Sequence, residues 1–165
     1  MLKNEIMDRI DWEIVALLQQ NGRMSFSALG RKVKLTPPAV IERVRQMEDA
    51  GIIVGYRADV SPAKLGFPIL AFVRMSIGTD VRAQIIAVAK NSPEVIECHR
   101  GTGGDSFTMK VVARSMEHLS SLIDRLTPYG VTSTSIVLSS PVERGNIVAF
   151  AADTKLPKPG RSPAR

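Results

Sequence analysis

The run from Thr36 to Gly51 constrains the fold of this chain more than any other segment. Placed on a helix at about 100° per residue, Val40, Val44 and Met47 fall on one side. The opposite side carries Pro38, Glu42, Arg45 and Asp49. Such a helix needs an apolar support behind it and leaves its outward side free, so the run predicts an amphipathic helix packed against neighbours.

The ends of this helix are also marked in the sequence. Thr36 is a suitable N-cap, and Pro37 suits the first helical position because its missing N–H would have no partner there. Lys34 and Leu35 are predicted to form the turn that leads into the helix. Gly51 fits the break at its C-terminal end. The pattern therefore predicts a helix with defined limits.

Two shorter helices are predicted before it. Asp8 can cap the first and Gly22 can end it, and Ser25 can cap the second. The positions expected to face inward are Ile10, Ile14, Leu17, Leu18, Phe26, Leu29 and Val33. Gly30 in the second helix costs roughly 1 kcal/mol relative to alanine, which indicates close packing at that point. Residues 52–60 predict a strand or a short wing.

Three short helices with two tight breaks are typical of a helix-turn-helix, whose last helix lies in the major groove of DNA. The amphipathic pattern of one helix alone fits an ordinary surface helix equally well. The order and spacing of the three helices favour double-stranded DNA as the partner. We expect Pro38, Glu42 and Arg45 to lie nearest the base edges. Arg45 can donate to guanine, and Glu42 can accept from cytosine or remain solvated.

The formal net charge of +6 is distributed unevenly. Residues 1–62 are nearly neutral in sum, and much of the excess lies in residues 151–165. Acidic residues collect in the first predicted helix, whereas basic residues precede and enter the third. The residues expected near phosphates are Arg31, Lys32, Lys34 and Arg43, with Thr36 and Pro37 at the start of the third helix. A solvated charged surface is the alternative interpretation.

A second region begins at residue 67 and predicts the order βαββαβ, an α+β arrangement of the ferredoxin-like type. The predicted strands are residues 67–77, 95–100, 107–113 and 132–139, with a possible fifth at 142–150. One helix follows a possible cap at Asp80, and the other follows Ser115. Both helices should cover the same face of the sheet.

The other face of the sheet carries apolar side chains that need covering. Leu70 and Phe72 alternate with the inward positions of the first strand, and Val112 is expected beside them. Since exposed apolar patches mark contacts, this face predicts a partner chain, which would make the protein a homodimer.

Several other classes of protein are disfavoured by the sequence. Residues 1–10 are polar and contain no apolar core of a signal peptide, and no apolar run approaches the roughly 20 residues of a membrane helix. Cys98 is the only cysteine, so no intrachain disulfide is possible, and a cytoplasmic protein is the simplest interpretation. We expect Cys98 to pack within its strand. Cys98 and His99 point to opposite strand faces and cannot form a nucleophile–base pair. We expect no enzyme, no cofactor and no metal site, since His99 and His118 lack partners at ligand spacing.

Taken in order, four stretches of the chain resemble the Lrp/AsnC (leucine-responsive regulatory protein/AsnC) family of transcription regulators. They are residues 17–23 (LLQQNGR), 43–56 (RVRQMEDAGIIVGY), 94–99 (EVIECH) and 101–107 (GTGGDSF). The resemblance implies a winged-type helix-turn-helix joined to a ferredoxin-like effector domain. It also implies a dimer that can assemble into an octamer, and a small amino acid or related molecule as effector.

The chain departs from the family pattern at two places. Lys34 stands where the family usually has a glycine, and if the residue is left-handed, lysine costs roughly 1–2 kcal/mol there. The glycine-rich effector loop of the family commonly ends in aspartate and tyrosine, whereas Ser106 and Phe107 occupy those positions here. The effector residues implied by the resemblance are Thr102, Gly103, Gly104, Asp105, Ser106 and Thr134. A simple hairpin turn is the alternative for this loop.

These observations predict four segments. Residues 1–60 form the DNA-binding domain, 61–66 a linker, 67–150 the effector-binding and oligomerisation domain, and 151–165 a disordered basic tail rich in proline. The expected function is sequence-specific transcription regulation. The alternative is an amino-acid-sensing interaction protein that has lost DNA binding, which the near-neutral charge of the first domain would suit.

Overall fold

The computed structural model describes residues 7–78, 80–143 and 145–149. They form two compact units, each described here by itself. The first contains residues 7–58 and 145–149, and the second contains residues 59–78 and 80–143. The division falls between residues 58 and 59, and residues 145–149 belong to the first unit. The predicted tail, residues 151–165, lies outside the described residues.

The first unit contains three helices: α1 (Arg9–Gln20), α2 (Phe26–Val33) and α3 (Pro37–Asp49). Asp8 caps α1 as predicted, because its carboxylate accepts from the N–H groups of Ile10 and Asp11 at 2.8 and 2.9 Å. The Asp11 carboxylate accepts from the Asp8 N–H at 3.0 Å in return, which completes a capping box. Ser25 caps α2 through the Ala28 N–H at 3.2 Å.

The core of the first unit lies where the three helices meet. Its buried residues are Ile14, Leu29, Val33, Val40, Val44 and Met47. These include the three inward positions predicted for α3, so that prediction is confirmed. Phe26 was expected to face inward but is 41% exposed, because it is the first residue of α2 and lies at the rim of the core.

The turn between α2 and α3 depends on two unusual backbone positions. Lys34 is left-handed, with φ 58° and ψ 41°, and is the only described non-glycine residue with positive φ. Gly30 accepts hydrogen bonds from the N–H groups of Lys34 and Leu35. A Cβ on Gly30 would lie 2.5 Å from the Leu35 carbonyl oxygen. The close packing predicted at Gly30 is therefore found, and it is the backbone of the turn, at Leu35, that packs against Gly30.

The ends of α3 differ in how they are capped. Thr36 occupies the N-cap position but its side chain makes no capping hydrogen bond, and Pro37 follows it as predicted. Gly51 has φ 68° and donates to the Glu48 carbonyl at 3.0 Å, while Ile52 donates to the Met47 carbonyl at 2.8 Å. This pair of bonds is a Schellman motif, which satisfies carbonyls at the helix end.

Residues 52–60 are not a strand, so of the two alternatives predicted for them the strand was wrong. The segment runs without a neighbouring strand to pair with in the described part of the first unit. Tyr56 attaches it to α3, because the Tyr56 hydroxyl donates to a Glu48 carboxylate oxygen at 3.0 Å. A β-rich composition alone cannot supply the partner that a strand requires.

The second unit has the predicted order βαββαβ. Its elements are β1 (Ile69–Ser76), α4 (Arg82–Asn91), β2 (Val95–Arg100), β3 (Phe107–Ala113), α5 (Met116–Leu126) and β4 (Val131–Ile136). The sheet is antiparallel with strand order β2-β3-β1-β4, which is the ferredoxin-like arrangement. The predicted linker is part of this unit and contains a short 3₁₀ helix at Ala63–Leu65.

Both helices cover one face of this sheet. The buried core joins residues of β1 and β3 to residues of α4 and α5, among them Val73, Met109, Ile85 and Leu122. Ser115 caps α5 through the His118 N–H at 3.2 Å, as predicted. Asp80 does not cap α4, because the N-cap position belongs to Val81.

The opposite face is less apolar than predicted. Phe72 is 37% exposed and Leu70 is half-buried, but Val112 is already buried within the chain and needs no further cover. Polar side chains share the face, since Arg74 donates to the Ser135 hydroxyl at 3.2 Å. The exposed apolar residues of this face are Phe72 and, at the start of β4, Val131.

The predicted fifth strand at 142–150 was also wrong, as its described residues lie outside the sheet. Residues 145–149 instead lie against the first unit. The Gln19 side chain accepts from the Ile147 N–H at 2.8 Å and donates to the Ile147 carbonyl at 2.9 Å. Both backbone groups of Ile147 are thus bonded as a neighbouring strand would bond them.

Among the described residues, we found no helix that combines the length and the apolar character needed to cross a bilayer.

Candidate nucleic-acid interface and effector cavity

The outward side of α3 is exposed along its whole length. Pro38, Glu42, Arg45 and Asp49 all face solvent. Arg45 lies 3.7 Å from Asp49 in an ion pair whose side chains are 71% and 72% exposed. Exposed pairs of this kind contribute about 0–1 kcal/mol, so Arg45 can exchange Asp49 for another partner at little cost. The α3 surface can therefore present a guanidinium and a carboxylate to a groove.

Two further residues border this outward side and were missed from the sequence. Ile41 is 45% exposed, which is unusual for an isoleucine on a short helix. Gln46 donates to the Glu42 carboxylate at 3.0 Å. An apolar side chain can contact the methyl group of thymine, and glutamine can bond adenine on two atoms. The sequence did carry a signal for Ile41: at about 100° per residue it lies outside the apolar side formed by Val40, Val44 and Met47.

Arg43 forms ion pairs that the sequence did not indicate. Its guanidinium donates to the Asp8 and Asp11 carboxylates at 2.7 and 2.8 Å. The hydrogen bonds that its guanidinium donates to Asp11 and Asp8 raise the pKa of Arg43 above its ordinary value. The Asp11 N–H and the Arg43 guanidinium lower the pKa of Asp8. Arg43 thus braces α3 against the start of α1, and the structure does not favour it as a phosphate contact.

The other basic residues remain available. Arg31, Lys32 and Lys34 are exposed, and within the described residues none of the three forms an ion pair. Arg31 and Lys32 lie in the last turn of α2, and Lys34 begins the turn into α3. Thr36 and Pro37 are exposed at the start of α3. This end of the unit carries positive charge directly before the outward side of α3.

The glycine-rich loop between β2 and β3 forms the wall of a small cavity in the second unit. Its hairpin is closed by the Gly101 N–H, which donates to the Ser106 carbonyl at 3.1 Å. The cavity measures about 210 Å³. It is lined by Ile77, Gly78, Arg82, Arg100, Gly101, Gly103, Ser106 and Phe107. Gly103 has φ 104°, which lets the loop fold over the cavity.

Of the predicted effector residues, only Gly103 and Ser106 line this cavity. The Asp105 carboxylate instead lies 3.7 Å from the Arg74 guanidinium. Thr134 is paired with Val73 across β4 and β1 and does not line the cavity. Thr102 and Gly104 are exposed loop residues outside its wall. The cavity therefore has a different polar lining from the one expected.

Sequence reasoning missed the two arginines of the cavity. Arg82 begins α4 and Arg100 ends β2. Their separation in sequence gave no signal, because only the fold brings them to one wall. Since guanidinium groups bind carboxylates on two atoms, the pair gives the cavity a clear chemical preference.

A second groove of about 460 Å³ runs between α4 and β2. Cys98 lines it and is exposed, so the expectation that Cys98 packs within the sheet was wrong. Partial burial raises the pKa of the Cys98 thiol. A raised pKa keeps the thiol protonated, and it is therefore a poor nucleophile.

The buried carboxylate of Glu94 binds two side chains of α5. Glu94 accepts from His118 at 3.0 Å and from Arg125 at 2.6 Å. The Nδ1 of His118 accepts from the Arg114 N–H at 3.2 Å, so its Nε2 carries the proton given to Glu94. Burial alone would raise the pKa of Glu94, but hydrogen bonds from its own N–H, Arg125 and His118 outweigh it and lower the pKa.

Comparison with protein families identifies both units. A model of the AsnC-type helix-turn-helix domain matches residues 7–48. A model of the Lrp/AsnC ligand binding domain matches residues 70–147. The two matches follow the order of the two units and leave little of the described chain unmatched.

Curated relatives agree with the family models. The chain is 35% identical to the HTH-type transcriptional regulator LrpC of Bacillus subtilis over 133 residues, which is 81% of this chain and 92% of the relative. It is 30% identical to the regulatory protein AsnC of Escherichia coli over 148 residues, 87% of this chain and 97% of the relative.

Solved structures share the fold. B. subtilis LrpC superposes with a TM-score of 0.80 at 33% identity, covering 84% of this chain and 99% of that one. A transcriptional regulator of Neisseria meningitidis in complex with L-methionine also gives 0.80, at 30% identity, covering 86% of this chain and 96% of the other.

Proposed function

The chain belongs to the Lrp/AsnC family of transcriptional regulators, and from this premise we propose how its two units bind DNA and an effector. In the first unit, α3 enters the major groove with its outward side. The observation that carries this is the division of α3 into a fully buried side and a fully exposed one. A helix so divided is held by its own domain and is free to read a duplex.

Each exposed group of α3 has a distinct role in this proposal. Arg45 donates to a guanine, and Glu42 accepts from a cytosine amino group. Pro38 and Ile41 supply apolar contacts at the end of α3 that enters the groove first. Phosphates are bound by Arg31, Lys32 and Lys34, with Thr36 and Pro37 beside them. Arg43 positions α3 through Asp8 and Asp11 and does not contact DNA.

We further propose that the protein is a homodimer that can assemble into larger oligomers such as an octamer. The exposed Phe72 on the uncovered sheet face supports a contact between two copies at that face. Two copies would place two α3 helices on one duplex, which suits half-sites spaced by about one helical turn. The protein acts in the cytoplasm, where chromosomal DNA is accessible, and it performs no catalysis.

The second unit is proposed to bind a small amino acid or a related molecule in the cavity at the glycine-rich loop. The relative from N. meningitidis was solved with L-methionine, which supports an amino acid as the ligand class. An interaction protein that has lost DNA binding is not favoured, because the curated relatives are themselves transcriptional regulators.

Selection of bound genomic fragments tests this proposal. The full chain is incubated with sheared bacterial DNA, and the retained fragments are sequenced with and without a panel of amino acids. We expect a defined set of enriched sites whose occupancy changes with at least one amino acid. Retention of fragments without any sequence preference, at both low and moderate salt, would refute specific DNA reading.

A further inference from the structure

The cavity at the glycine-rich loop contains two positive charges and no negative one. Arg82 reaches it from the start of α4 and Arg100 from the end of β2. In the described part of the chain, neither guanidinium forms an ion pair or a hydrogen bond with another side chain. Two unpaired guanidinium groups that line one cavity favour the binding of an anion there.

Two acidic residues near the cavity are paired with other side chains, and a third lies close to its wall without lining it. Asp105 lies beside Arg74, at 3.7 Å. Glu97 accepts from Lys110 at 3.1 Å, and this bond is the main cause of its lowered pKa. Asp80 approaches Gly78 but does not line the cavity. Among the described residues, therefore, no carboxylate forms an ion pair with either arginine.

We propose that the effector is a small molecule with two carboxylate groups, one for Arg82 and one for Arg100. This inference rests on the proposed effector function of the cavity and specifies its ligand class. At about 210 Å³ the cavity is below the roughly 300–1,000 Å³ of drug-sized sites, so the ligand is small. The Ser106 hydroxyl and the backbone of Gly101 and Gly103 supply the remaining polar surface.

Two sources offer this chemistry: an acidic amino acid such as aspartate or glutamate, and a dicarboxylate without an amino group such as succinate or glutarate. A neutral amino acid carries one carboxylate and leaves one guanidinium without a counter-charge. Asparagine and glutamine, the amides of aspartate and glutamate, are nearly the same size as those two acids. Each acid–amide pair therefore isolates the effect of the second carboxylate.

Calorimetric titration of the full-length protein, without DNA, tests the inference. The ligands are L-aspartate with L-asparagine, L-glutamate with L-glutamine, succinate, glutarate, L-leucine and L-methionine. We expect at least one dicarboxylate to bind more tightly than its amide by about tenfold or more, as expected for the loss of a charge-assisted hydrogen-bond pair. Preference for the acidic amino acids over succinate and glutarate would show that the amino group is also read.

Variants locate the binding in the cavity. Arg82→Gln and Arg100→Gln should each weaken the preferred dicarboxylate by about tenfold, and the double variant should abolish it. Lys64→Gln, which removes an exposed cation elsewhere in the second unit, should leave the affinity unchanged. Thermal unfolding of each variant checks that the fold is retained.

The failures are distinguishable. Equal binding of acid and amide, or binding of leucine or methionine alone, overturns the dicarboxylate inference but leaves an amino-acid effector in place. Unchanged affinity in both arginine variants overturns the assignment to this cavity. If none of the ligands binds to protein that still retards DNA, both the inference and the proposed effector function are wrong.

Discussion

Lys34 shows how one residue can serve two conflicting demands. Its left-handed backbone, with φ 58°, is a conformation that suits glycine, and lysine loses roughly 1–2 kcal/mol by adopting it. The same position places a cation directly before α3. The turn therefore gives up stability where the proposal requires a positive charge near DNA.

Replacing Lys34 with glycine should stabilise the first unit and weaken DNA binding. We expect the free energy of unfolding to rise by about 1 kcal/mol, because relief of strain exceeds the added entropy of the unfolded chain. The slope of log affinity against log salt should become shallower by about 0.9, the value for one lost phosphate contact. Thermal unfolding and filter binding across salt concentrations measure the two effects.

Lys32 provides the matched control for this change. Lys32→Gly removes the same charge from a helical position, so it should lower stability by about 0.5–1 kcal/mol instead of raising it. A loss of stability in Lys34→Gly would show that the turn is not strained. If the salt slope of Lys34→Gly equals that of the unchanged protein, Lys34 contacts no phosphate.

Glu94 should make the second unit sensitive to acid. Its pKa is lowered from 4.5 in the folded protein, so its stabilising contribution is complete above pH 4.5 and is lost as pH falls through the lower folded value. Glu94→Gln should remove this part of the pH dependence. Denaturant unfolding of both proteins, from neutral pH down to about pH 3, measures the difference.

Asp124→Asn removes an exposed acid of the same unit and is the control for the change in charge. Its stability should fall with pH in parallel with that of the unchanged protein. Parallel curves for Glu94→Gln as well would mean that the ion pairs with Arg125 and His118 do not stabilise the fold.

Residue-level predictions succeeded where the chemistry is local. Asp8, Ser25 and Ser115 bond N–H groups two or three residues away, and Gly51 closes its own helix end, so neighbouring residues alone indicated these positions. The ion pairs of Arg43 were not indicated, because its partners lie 32 and 35 residues away, in α1 and at its N-cap. Its charge was visible in the sequence, but the packing that engages the charge was not.

Helices and strands were also predicted correctly only where their formation depends on local sequence. The alternation of β1 fixed its inward side, and both helices of the second unit formed where their spacing indicated. Residues 52–60 and the described residues of 142–150 have the composition of strands but no neighbouring strand to pair with. A strand is defined by its partner, which composition does not reveal. The sequence likewise could not predict that Arg82 and Arg100 line one cavity, because only the fold brings α4 and β2 together.

The Gln19 side chain bonds the segment at residues 145–149 through both backbone groups of Ile147. The segment borders a cavity of about 300 Å³ whose walls include Trp12, Leu18 and Tyr56. Gln19→Ala should therefore release the segment. We expect the Ile147 amide to exchange with deuterium faster by about two- to tenfold, the equivalent of one lost hydrogen bond.

Gln20→Ala offers a matched control, because Gln20 is an exposed neighbour on the same helix. Its Ile147 exchange should equal that of the unchanged protein. Equal exchange in Gln19→Ala would mean that apolar contacts, and not the amide bonds, hold the segment.

At the scale of the whole molecule, the proposed DNA binding requires two copies of the chain. Phe72→Asp places a charge on the uncovered sheet face and should weaken self-association by about tenfold or more, because burial of an unpaired carboxylate is costly. Sedimentation equilibrium measures the change. Phe26→Asp is the control, since Phe26 has a similar exposure, 41% against 37%, in the other unit. Equal association of the two variants would place the dimer contact elsewhere.

The central claim is that the outward side of α3 reads base sequence, and binding-site selection with Arg45→Ala tests it most directly. Random duplexes are selected in parallel with the unchanged protein, with Arg45→Ala and with Arg57→Ala, which removes an exposed arginine outside the three helices. We predict that Arg45→Ala binds the preferred site about 1–3 kcal/mol more weakly and loses its preference at one guanine position, while Arg57→Ala keeps the preference. The same selected sequence from Arg45→Ala and the unchanged protein would contradict the account.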